Sequence, residues 1–213
     1  MEILSAELEK YIAQHTSAEP EILVRLRKET FRKTTQPQML SGGYQGRLLS
    51  LISKMIRPKR ILEIGTFTGY ATLCLAEGLQ ADGKITTIDR NEELAYLPKK
   101  YFEESEFSKQ IEMKIGNALE ILDELDEDFD LVFIDADKSN YLNYFEKIIG
   151  KMSSGSVILA DNVLWYGKVM KEAKANDKDT LILKEFNEML VSDSRIEVVL
   201  LPVRDGISLI RKK

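Results

Sequence analysis

Apolar and polar positions follow two different patterns along this chain of 213 residues. From residue 58 onwards, short apolar runs alternate with longer segments in which apolar positions recur at helical spacing. The runs Leu131–Ile134 and Val157–Ala160 are apolar throughout, which is typical of strands buried on both faces of a parallel sheet. Regular alternation of strand and helix predicts a mostly parallel sheet covered by helices on both faces.

The pattern assigns most of the chain to elements. Strands are predicted at 60–64, 84–89, 111–115, 129–135, 156–160, 196–202 and 206–211, with helices at 70–78, 91–107, 118–125, 140–150 and 180–191. Pro98 lies in an unusual place inside one of these helices. Residues 1–57 read as helices over 5–14, 20–30 and 44–56, separated by a glycine-containing loop at 34–43 that is long enough to cover a site.

The last two predicted strands are joined by Val203–Asp205 alone, which is the length of a hairpin loop, so they must run antiparallel. The fold class is therefore α/β, with a seven-stranded, mostly parallel sheet that closes on an antiparallel hairpin. We find no linker, repeat or low-complexity segment, and we expect a single domain over 1–213. Within it, 1–57 form a helical cap and 58–213 the core, with a mobile surface loop at 168–178.

Composition narrows the functional classes. Hydrophobic content of 44% and charged content of 31% are typical of a globular protein, and the net charge of −5 gives no basic footprint for nucleic acid, although a local patch is not excluded. Cys74 is the single cysteine, which excludes a disulfide framework and a cysteine zinc cluster. The lone His15 lies in a polar stretch and does not support histidine-based catalysis. With no leader pattern and no apolar run of membrane-spanning length, a cytoplasmic protein is expected.

Two predicted strands end in acidic residues. Asp135, Asp137 and Lys138 follow the first, while Asp161 and Asn162 follow the second. Ligands of such sheets bind beyond the carboxyl ends of the strands, so these side chains should gather at one rim. Carboxylate and amide oxygens suit a divalent cation, and the lysine could act as a base beside it. The alternative is that they are helix caps and turn residues.

A glycine-containing turn follows the first strand of the core. Gly65 and Gly69 allow the backbone to approach a ligand where a helix begins, and Asp89 ends the next strand, where an acid can accept hydrogen bonds from ribose hydroxyls. The turn matches neither the dinucleotide pattern nor the phosphate loop, which needs a lysine. Together, the glycine-containing turn and Asp89 favour a binding site for a ligand that contains adenosine. The alternative is a tight turn that binds no ligand.

These segments resemble a known family. Glu63-Ile-Gly65-Thr-Phe67-Thr-Gly69-Tyr70, together with Thr-Ile-Asp89, resembles motif I and its partner acid in class I S-adenosylmethionine methyltransferases. The segments 133–141 (Phe-Ile-Asp-Ala-Asp-Lys-Ser-Asn-Tyr), 159–164 (Leu-Ala-Asp-Asn-Val-Leu) and 201–209 (Leu-Pro-Val-Arg-Asp-Gly-Ile-Ser-Leu) are similar to the metal-dependent catechol and caffeoyl-CoA O-methyltransferases and their bacterial relatives. Four segments match in order over 30–213, which implies a Rossmann-like fold.

The resemblance implies a role for each candidate residue. S-adenosylmethionine would contact Met39, Ser41, Glu63, Gly65, Phe67, Ala71, Asp89, Ala118, Asp135 and Asp137. A divalent cation (Mg²⁺, or another such as Mn²⁺ or Ca²⁺) would bind Asp135, Asp161 and Asn162, and Lys138 would be the catalytic base. The substrate would contact Met39, Lys138, Asn162, Trp165, Tyr166 and Arg204. Ala71 stands where many relatives have serine, so we expect one hydrogen bond to the cofactor carboxylate to be missing.

Several of these roles have a structural alternative. Lys138 could form an ion pair with Asp137 or another acid of the rim instead of acting as a base. Trp165 and Tyr166 could form an aromatic wall for a flat substrate or simply pack within a loop. Arg204 could meet an acidic group of the substrate or be a solvated hairpin residue.

The expected function is methylation of one hydroxyl of a catechol-type small molecule such as caffeate, dependent on S-adenosylmethionine and a divalent cation. The resemblance also leaves a transfer-RNA 5-hydroxyuridine O-methyltransferase open, although the acidic charge disfavours it. A third hypothesis is a non-catalytic cofactor-binding protein. Because relatives are commonly dimers, we expect a homodimer. We expect it to bind a phenolic small molecule as substrate and not to bind a membrane.

Overall fold

The structure, a computed structural model, describes residues 5–126 and 128–213. In chain order its α-helices are α1 Ala6–Gln14, α2 Glu21–Lys33, α3 Gly42–Ile56, α4 Tyr70–Ala76, α5 Tyr96–Glu104, α6 Ala118–Glu124, α7 Tyr141–Ile149 and α8 Lys178–Ser192. Its strands are β1 Arg60–Ile64, β2 Lys84–Asp89, β3 Ile111–Ile115, β4 Leu131–Ile134, β5 Val157–Asp161, β6 Ile196–Leu201 and β7 Ile207–Lys212. The seven strands form a sheet in the order β3-β2-β1-β4-β5-β7-β6, which confirms the predicted fold class.

Two compact units make up the described chain, one over Ala6–Ala118 and the other over Leu119–Lys213 together with Ser5. In the first unit, β1 pairs with β2 and β2 pairs with β3, both in parallel. Helix α3 lies close against α4 at Gly46, where an added Cβ would be 2.6 Å from a ring carbon of Tyr70. Glycine at this position therefore sets the distance between the two helices.

In the second unit, β4 pairs in parallel with β5, and β7 lies antiparallel between β5 and β6. The predicted antiparallel direction of the last two strands is confirmed. Phe133, Phe145 and Phe186 are fully buried and supply much of the apolar volume of this unit. Burial of such rings is a large favourable term in the free energy of folding.

Some predicted boundaries were wrong. The helix expected over 91–107 covers only Tyr96–Glu104, because Pro98 has no N–H group and is tolerated only within the first turn of a helix. Nothing in the sequence indicated the short 3₁₀ segments at Pro37–Met39, Lys138–Asn140 and Trp165–Met170, the last of which is interrupted by a kink at Tyr166 and Gly167. The first lies inside the predicted loop 34–43, and the last follows the acid-tipped strand β5.

Within the described residues, no helix is both long enough and apolar enough to cross a membrane.

Candidate functional site

The glycine loop, Gly65–Gly69, connects β1 to α4 and contains backbone conformations that favour glycine. Gly65 has φ 104° and Gly69 has φ 84°, and an added Cβ at Gly69 would lie 2.5 Å from a ring carbon of Phe102. Phe67, between them, also has a positive φ, 49°. Glycine at 65 and 69 is thus required by conformation and, at 69, by the close approach of a neighbouring ring.

Asp89 fixes the middle of this loop. Its Oδ2 accepts a hydrogen bond of 2.7 Å from the backbone N–H of Phe67, and its Oδ1 accepts one of 2.9 Å from the N–H of Asn91. A carboxylate has about four acceptor positions, so two backbone contacts leave capacity for further donors such as hydroxyl groups. The structure therefore brings Asp89 and the glycine loop together, as the sequence predicted.

Glu63 lies beneath the loop in a network that the sequence did not predict. Its carboxylate is fully buried and accepts hydrogen bonds from the hydroxyls of Thr72 and Thr87, the latter at 2.5 Å. Thr87 also shares a hydrogen bond of 2.6 Å with Thr66 of the loop. The network connects β1, β2 and α4. The sequence indicates it only by the threonines that interrupt the apolar runs of α4 and β2.

The other residues predicted to contact the cofactor in the first unit are spread over three elements. Met39 lies in a 3₁₀ helix with 54% of its surface exposed, whereas Ser41 is buried just before α3. Ala71 is buried in the first turn of α4, and Ala118 begins α6 with part of its surface exposed. Their contacts with a cofactor stay predictions.

The acidic rim, which we define as Asp135, Asp137, Lys138, Asp161 and Asn162, lies in the second unit. Ile134 of β4 is the register partner of Ala160 of β5, so Asp135 and Asp161 occupy adjacent positions at neighbouring strand ends. The Nζ atom of Lys138 is 3.3 Å from Oδ1 of Asp135, and only 7% of the lysine side chain is exposed. The structure thus brings Lys138 and Asp135 into contact and places Asp161 at the neighbouring strand end.

Lys138 has a second partner that the sequence did not indicate. Its Nζ donates a hydrogen bond of 2.7 Å to the hydroxyl of Tyr141, whose own proton points towards the backbone oxygen of Asp161 at 2.8 Å. Burial, with added repulsion from nearby carboxylates, raises the pKa of Tyr141 well above its usual value. The phenol is therefore neutral in the normal pH range. The sequence indicates this contact only by the spacing, since the tyrosine follows the lysine by three positions.

Asp137 is held by its own segment. Its carboxylate accepts hydrogen bonds from the hydroxyl of Tyr144 at 2.6 Å, from Ser139 at 2.9 Å and from the amide of Asn140 at 2.6 Å. Burial would raise the pKa of Asp137, but these three donors outweigh it and the pKa falls below its usual value. The acid that pairs with Lys138 is Asp135, and the proposed role of Asp137 at the cofactor stays a prediction.

Asp161 and Asn162 supply oxygen atoms at the end of β5. Asp161 is 2% exposed, and its Oδ1 accepts a hydrogen bond of 2.8 Å from the backbone N–H of Asn162, which has φ 58°. Asparagine tolerates this left-handed conformation better than most residues. Among the described residues, no group of three or more His, Cys, Asp or Glu side chains could hold a metal ion. The three predicted metal ligands, Asp135, Asp161 and Asn162, are two carboxylates and one amide, so they do not form a group of that kind.

The aromatic loop, Trp165 and Tyr166, has an unusual backbone. Both residues have positive φ, 47° and 55°. The loop is fastened to the β6–β7 hairpin, because Oδ1 of Asp205 accepts a hydrogen bond of 2.5 Å from the N–H of Tyr166 and the backbone oxygen of Asp205 accepts one of 2.8 Å from Leu164. Burial raises the pKa of Asp205, and the hydrogen bond from Tyr166 only partly offsets this. The sequence did not identify Asp205.

The two rings of this loop differ in exposure. The Trp165 ring lies 6.0 Å from Nζ of Lys138, and its buried Nε1 has no hydrogen-bond partner among the described residues. The Tyr166 ring, 5.5 Å from that of Trp165, is 65% exposed. Arg204, in the hairpin, is exposed with φ 49°. The structure brings Trp165 to the acidic rim and leaves most of Tyr166 in contact with solvent.

The comparisons with known proteins identify the family of this chain. The family model described as O-methyltransferase matches residues 13–213. Caffeoyl-CoA O-methyltransferase 1 of Nicotiana tabacum is 38% identical over 205 residues, which cover 91% of this chain and 85% of that protein. The chain therefore belongs to the O-methyltransferase family, which confirms the resemblance and the predicted enzyme class, an S-adenosylmethionine-dependent O-methyltransferase.

Solved structures are similar over nearly the whole chain. The O-methyltransferase TomG from Streptomyces achromogenes, in complex with S-adenosylmethionine, superposes with a TM-score of 0.89 at 29% identity and covers 97% of this chain and 96% of that one. An O-methyltransferase from Bacillus cereus, in complex with S-adenosylhomocysteine, has a TM-score of 0.89 at 28% identity, with 97% of each chain covered.

Proposed function

We propose that this protein methylates one hydroxyl of a catechol-type small molecule, with S-adenosylmethionine as methyl donor and a divalent cation at the acidic rim. The observation that carries the proposal is the position of Lys138. Its buried amine lies 3.3 Å from Asp135, at the strand ends where Asp161 and Asn162 also present oxygen atoms. A base next to hard oxygen ligands suits deprotonation of a hydroxyl group.

The methyl donor is supported by the glycine loop and by the two solved relatives that hold it or its product. In the first unit, Gly65 and Phe67 offer backbone to a ligand, and Asp89 retains free acceptor capacity for ribose hydroxyls. Met39, Ser41, Glu63, Ala71 and Ala118 are proposed to complete this half. The cofactor contacts of Asp135 and Asp137 stay predictions of the sequence.

The residues of the rim fit a hard divalent cation. Asp135, Asp161 and Asn162 offer two carboxylates and an amide oxygen, the donor types that Mg²⁺ and Ca²⁺ prefer. The buried position of Asp161 supports this assignment, because a carboxylate that is 2% exposed is stabilised by a nearby positive charge. A cation held by these residues would stabilise the ionised hydroxyl of a substrate.

Lys138 then accepts the proton of that hydroxyl at Nζ when its amine is neutral. The oxygen attacks the methyl carbon of the sulfonium, so that a carbon–oxygen bond forms as the sulfur–carbon bond breaks. The electron pair of the broken bond stays on sulfur, which leaves a neutral thioether, and the proton stays on the lysine. Most of the rate enhancement is expected from positioning and from neutralisation of charge.

The aromatic loop supports a flat substrate. Trp165 lies beside Lys138, and the exposed ring of Tyr166 is next to it, so the pair offers an apolar surface next to the base. Binding sites for small molecules commonly combine such aromatic surfaces with a few polar groups. We assign Asn162, Trp165 and Tyr166 to the substrate, with Met39 and Arg204 as further predicted contacts.

The test is methyl transfer by the purified full chain from labelled S-adenosylmethionine. The substrates are caffeate, caffeoyl-CoA, a matched analogue with one hydroxyl and undermethylated transfer RNA, each with EDTA and after Mg²⁺, Mn²⁺ or Ca²⁺ is restored. We expect a labelled product from the catechols only, a loss of more than about tenfold with EDTA, and recovery with metal.

Other outcomes would contradict separate parts of the proposal. Activity that EDTA does not change contradicts the metal, and wild-type rates from Asp161→Ala contradict the ligand set. Methylation of transfer RNA alone would replace the substrate class, and cofactor binding without transfer to any substrate would support a non-catalytic protein. A homodimer and a cytoplasmic location stay predictions, to be checked by light scattering and by cell fractionation.

A further inference from the structure

Tyr141 occupies the centre of the acidic rim without belonging to the predicted site. It is the first residue of α7, and its side chain is fully buried. Its hydroxyl lies 2.7 Å from Nζ of Lys138, 2.8 Å from the backbone oxygen of Asp161 and 3.3 Å from that of Ile134. A phenol has one proton to donate, so the nearer oxygen, that of Asp161, takes it while the lysine donates to the phenol.

The ring of Tyr141 is held by packing. It meets the ring of Phe186 in α8 edge to face, with centroids 5.4 Å apart, and no part of the tyrosine side chain is exposed. Buried aromatic side chains in close-packed surroundings have one favoured rotamer. The hydroxyl is therefore a fixed point between the ends of β4 and β5.

The other contacts of Lys138 are less suited to fix its amine. Oδ1 of Asp135 is farther away, at 3.3 Å, and the same carboxylate is proposed to bind the cation. The Trp165 ring is 6.0 Å from Nζ and belongs to the loop that is proposed to meet the substrate. The hydroxyl of Tyr141 belongs to a fully buried ring packed on Phe186, so its contact with the lysine does not depend on where the Asp135 carboxylate lies.

We infer that Tyr141 is a positioning residue, which holds Nζ of Lys138 at a fixed place relative to the Asp161 end of β5 so that the amine can reach the hydroxyl of the substrate. The inference rests on the proposed function, since it assigns Tyr141 a role that acts through the proposed base. A displacement of a catalytic group by about 1 Å can lower a rate by about 10²-fold.

The first experiment compares Tyr141→Phe with the wild type in catechol methylation. The variant keeps the buried ring and removes only the hydroxyl, so we expect kcat to fall by about 10- to 100-fold while KM for the catechol and for S-adenosylmethionine changes less than about twofold. The matched control is Tyr101→Phe, which removes another hydroxyl of a buried ring, 2.8 Å from Glu29 in α2. Equal kcat in Tyr141→Phe and Tyr101→Phe would overturn the inference.

A double-mutant cycle separates positioning from a general structural role. If Tyr141 acts through the lysine, Tyr141→Phe should lower kcat of the wild type but leave the residual rate of Lys138→Met unchanged within about twofold. Independent, multiplicative losses in the double variant would mean that the hydroxyl acts elsewhere, for example by supporting the end of β5, and would refute the positioning role.

Crystal structures of the wild type and of Tyr141→Phe test the same inference without an assay. We expect Nζ of Lys138 to leave its place by about 1 Å or more, or to become disordered, while the substituted ring and Asp161 stay in position. An unmoved amine in the variant contradicts the inference even if the protein proves inactive. A wild type that transfers no methyl group to any catechol contradicts the proposed function alone.

Discussion

The glycine loop and the acidic rim hold their functional groups in different ways. The glycine loop is set by backbone: positive φ at Gly65 and Gly69, and the N–H group of Phe67, which donates to Asp89. The acidic rim is set by side chains, because Lys138 donates hydrogen bonds to the carboxylate of Asp135 and to the hydroxyl of Tyr141. A site made by backbone constrains residue type at a few positions, whereas a site made by side chains depends on every partner in the network.

The largest effect is expected at the rim. Lys138→Met removes the proposed base while keeping the length of the side chain, and kcat for catechol methylation should fall by about 10³-fold, since general base catalysis contributes roughly 10²–10⁴. Binding of S-adenosylmethionine, measured by calorimetry, should not change. The control is Lys147→Met, which removes an ion pair with Asp123 on the same unit. A kcat similar to that of Lys147→Met would refute the role of Lys138.

The first unit has a side-chain network of its own, away from the loop. Glu77 accepts hydrogen bonds from Arg47 at 2.6 Å, Lys54 at 2.6 Å and Ser50 at 2.7 Å. Burial would raise the pKa of Glu77, but these donors lower it to about 2 from the ordinary 4.5. Because the folded pKa is depressed, the stabilisation is complete above pH 4.5 and disappears as the pH falls towards 2.

This shift corresponds to about 3 kcal/mol of the free energy of unfolding. Urea denaturation between pH 2 and pH 6 should show that stability falls more steeply with acid in the wild type than in Glu77→Gln, by about that amount over the range. Parallel curves for the two proteins would contradict the assignment of this pH dependence to Glu77.

Gly69→Ala tests whether the glycine loop depends on backbone conformation. The residue has φ 84°, and the added Cβ would lie 2.5 Å from the ring of Phe102, so we expect a loss of about 2 kcal/mol in the free energy of unfolding. Gly150→Ala is the control, since φ there is −72° and no atom lies within 4 Å of the added Cβ. Equal stability of the two variants would show that the loop tolerates a side chain.

The smallest effect concerns the aromatic loop. Asp205→Ala removes the acceptor of the Tyr166 N–H, so the loop should become less ordered and KM for the catechol should rise by about fivefold, which is about 1 kcal/mol, with little change in kcat. Asp82→Ala, which removes an exposed ion pair with Lys59, serves as control. An unchanged KM in Asp205→Ala would remove the aromatic loop from substrate binding.

The two regions also differ in how much of them the sequence predicts. The conformation of Gly65 and Gly69 and the place of Asp89 at the end of β2 follow from the identity of single residues, since glycine adopts positive φ readily and an apolar run marks the strand before the acid; their contacts with a cofactor stay predictions. The strand ends that carry Asp135 and Asp161 were found from continuous apolar runs. Each of these signals is local, so neighbouring residues suffice to interpret it.

The contacts of Tyr141 and Asp205 were missed because they join distant segments of the chain. The hydroxyl of Tyr141 reaches the backbone oxygen of Asp161, twenty positions away, and Asp205 reaches Tyr166, thirty-nine positions away. Only the pairing of β4, β5 and β7 brings these segments together. The shortened helix α5 has a local cause, Pro98. A proline is tolerated only in the first turn of a helix, so its position could have predicted a later start for α5.

The left-handed backbone of the aromatic loop has a consequence for protein engineering. Trp165 and Tyr166 hold conformations that cost roughly 1 kcal/mol each for residues other than glycine, so glycine there would relieve strain. A selection for heat resistance alone would therefore favour Tyr166→Gly, and the surviving variants would lose part of the surface that is proposed to meet the substrate. Libraries that aim at thermostability should leave positions 165 and 166 fixed, whereas libraries that aim at new substrates should begin with them.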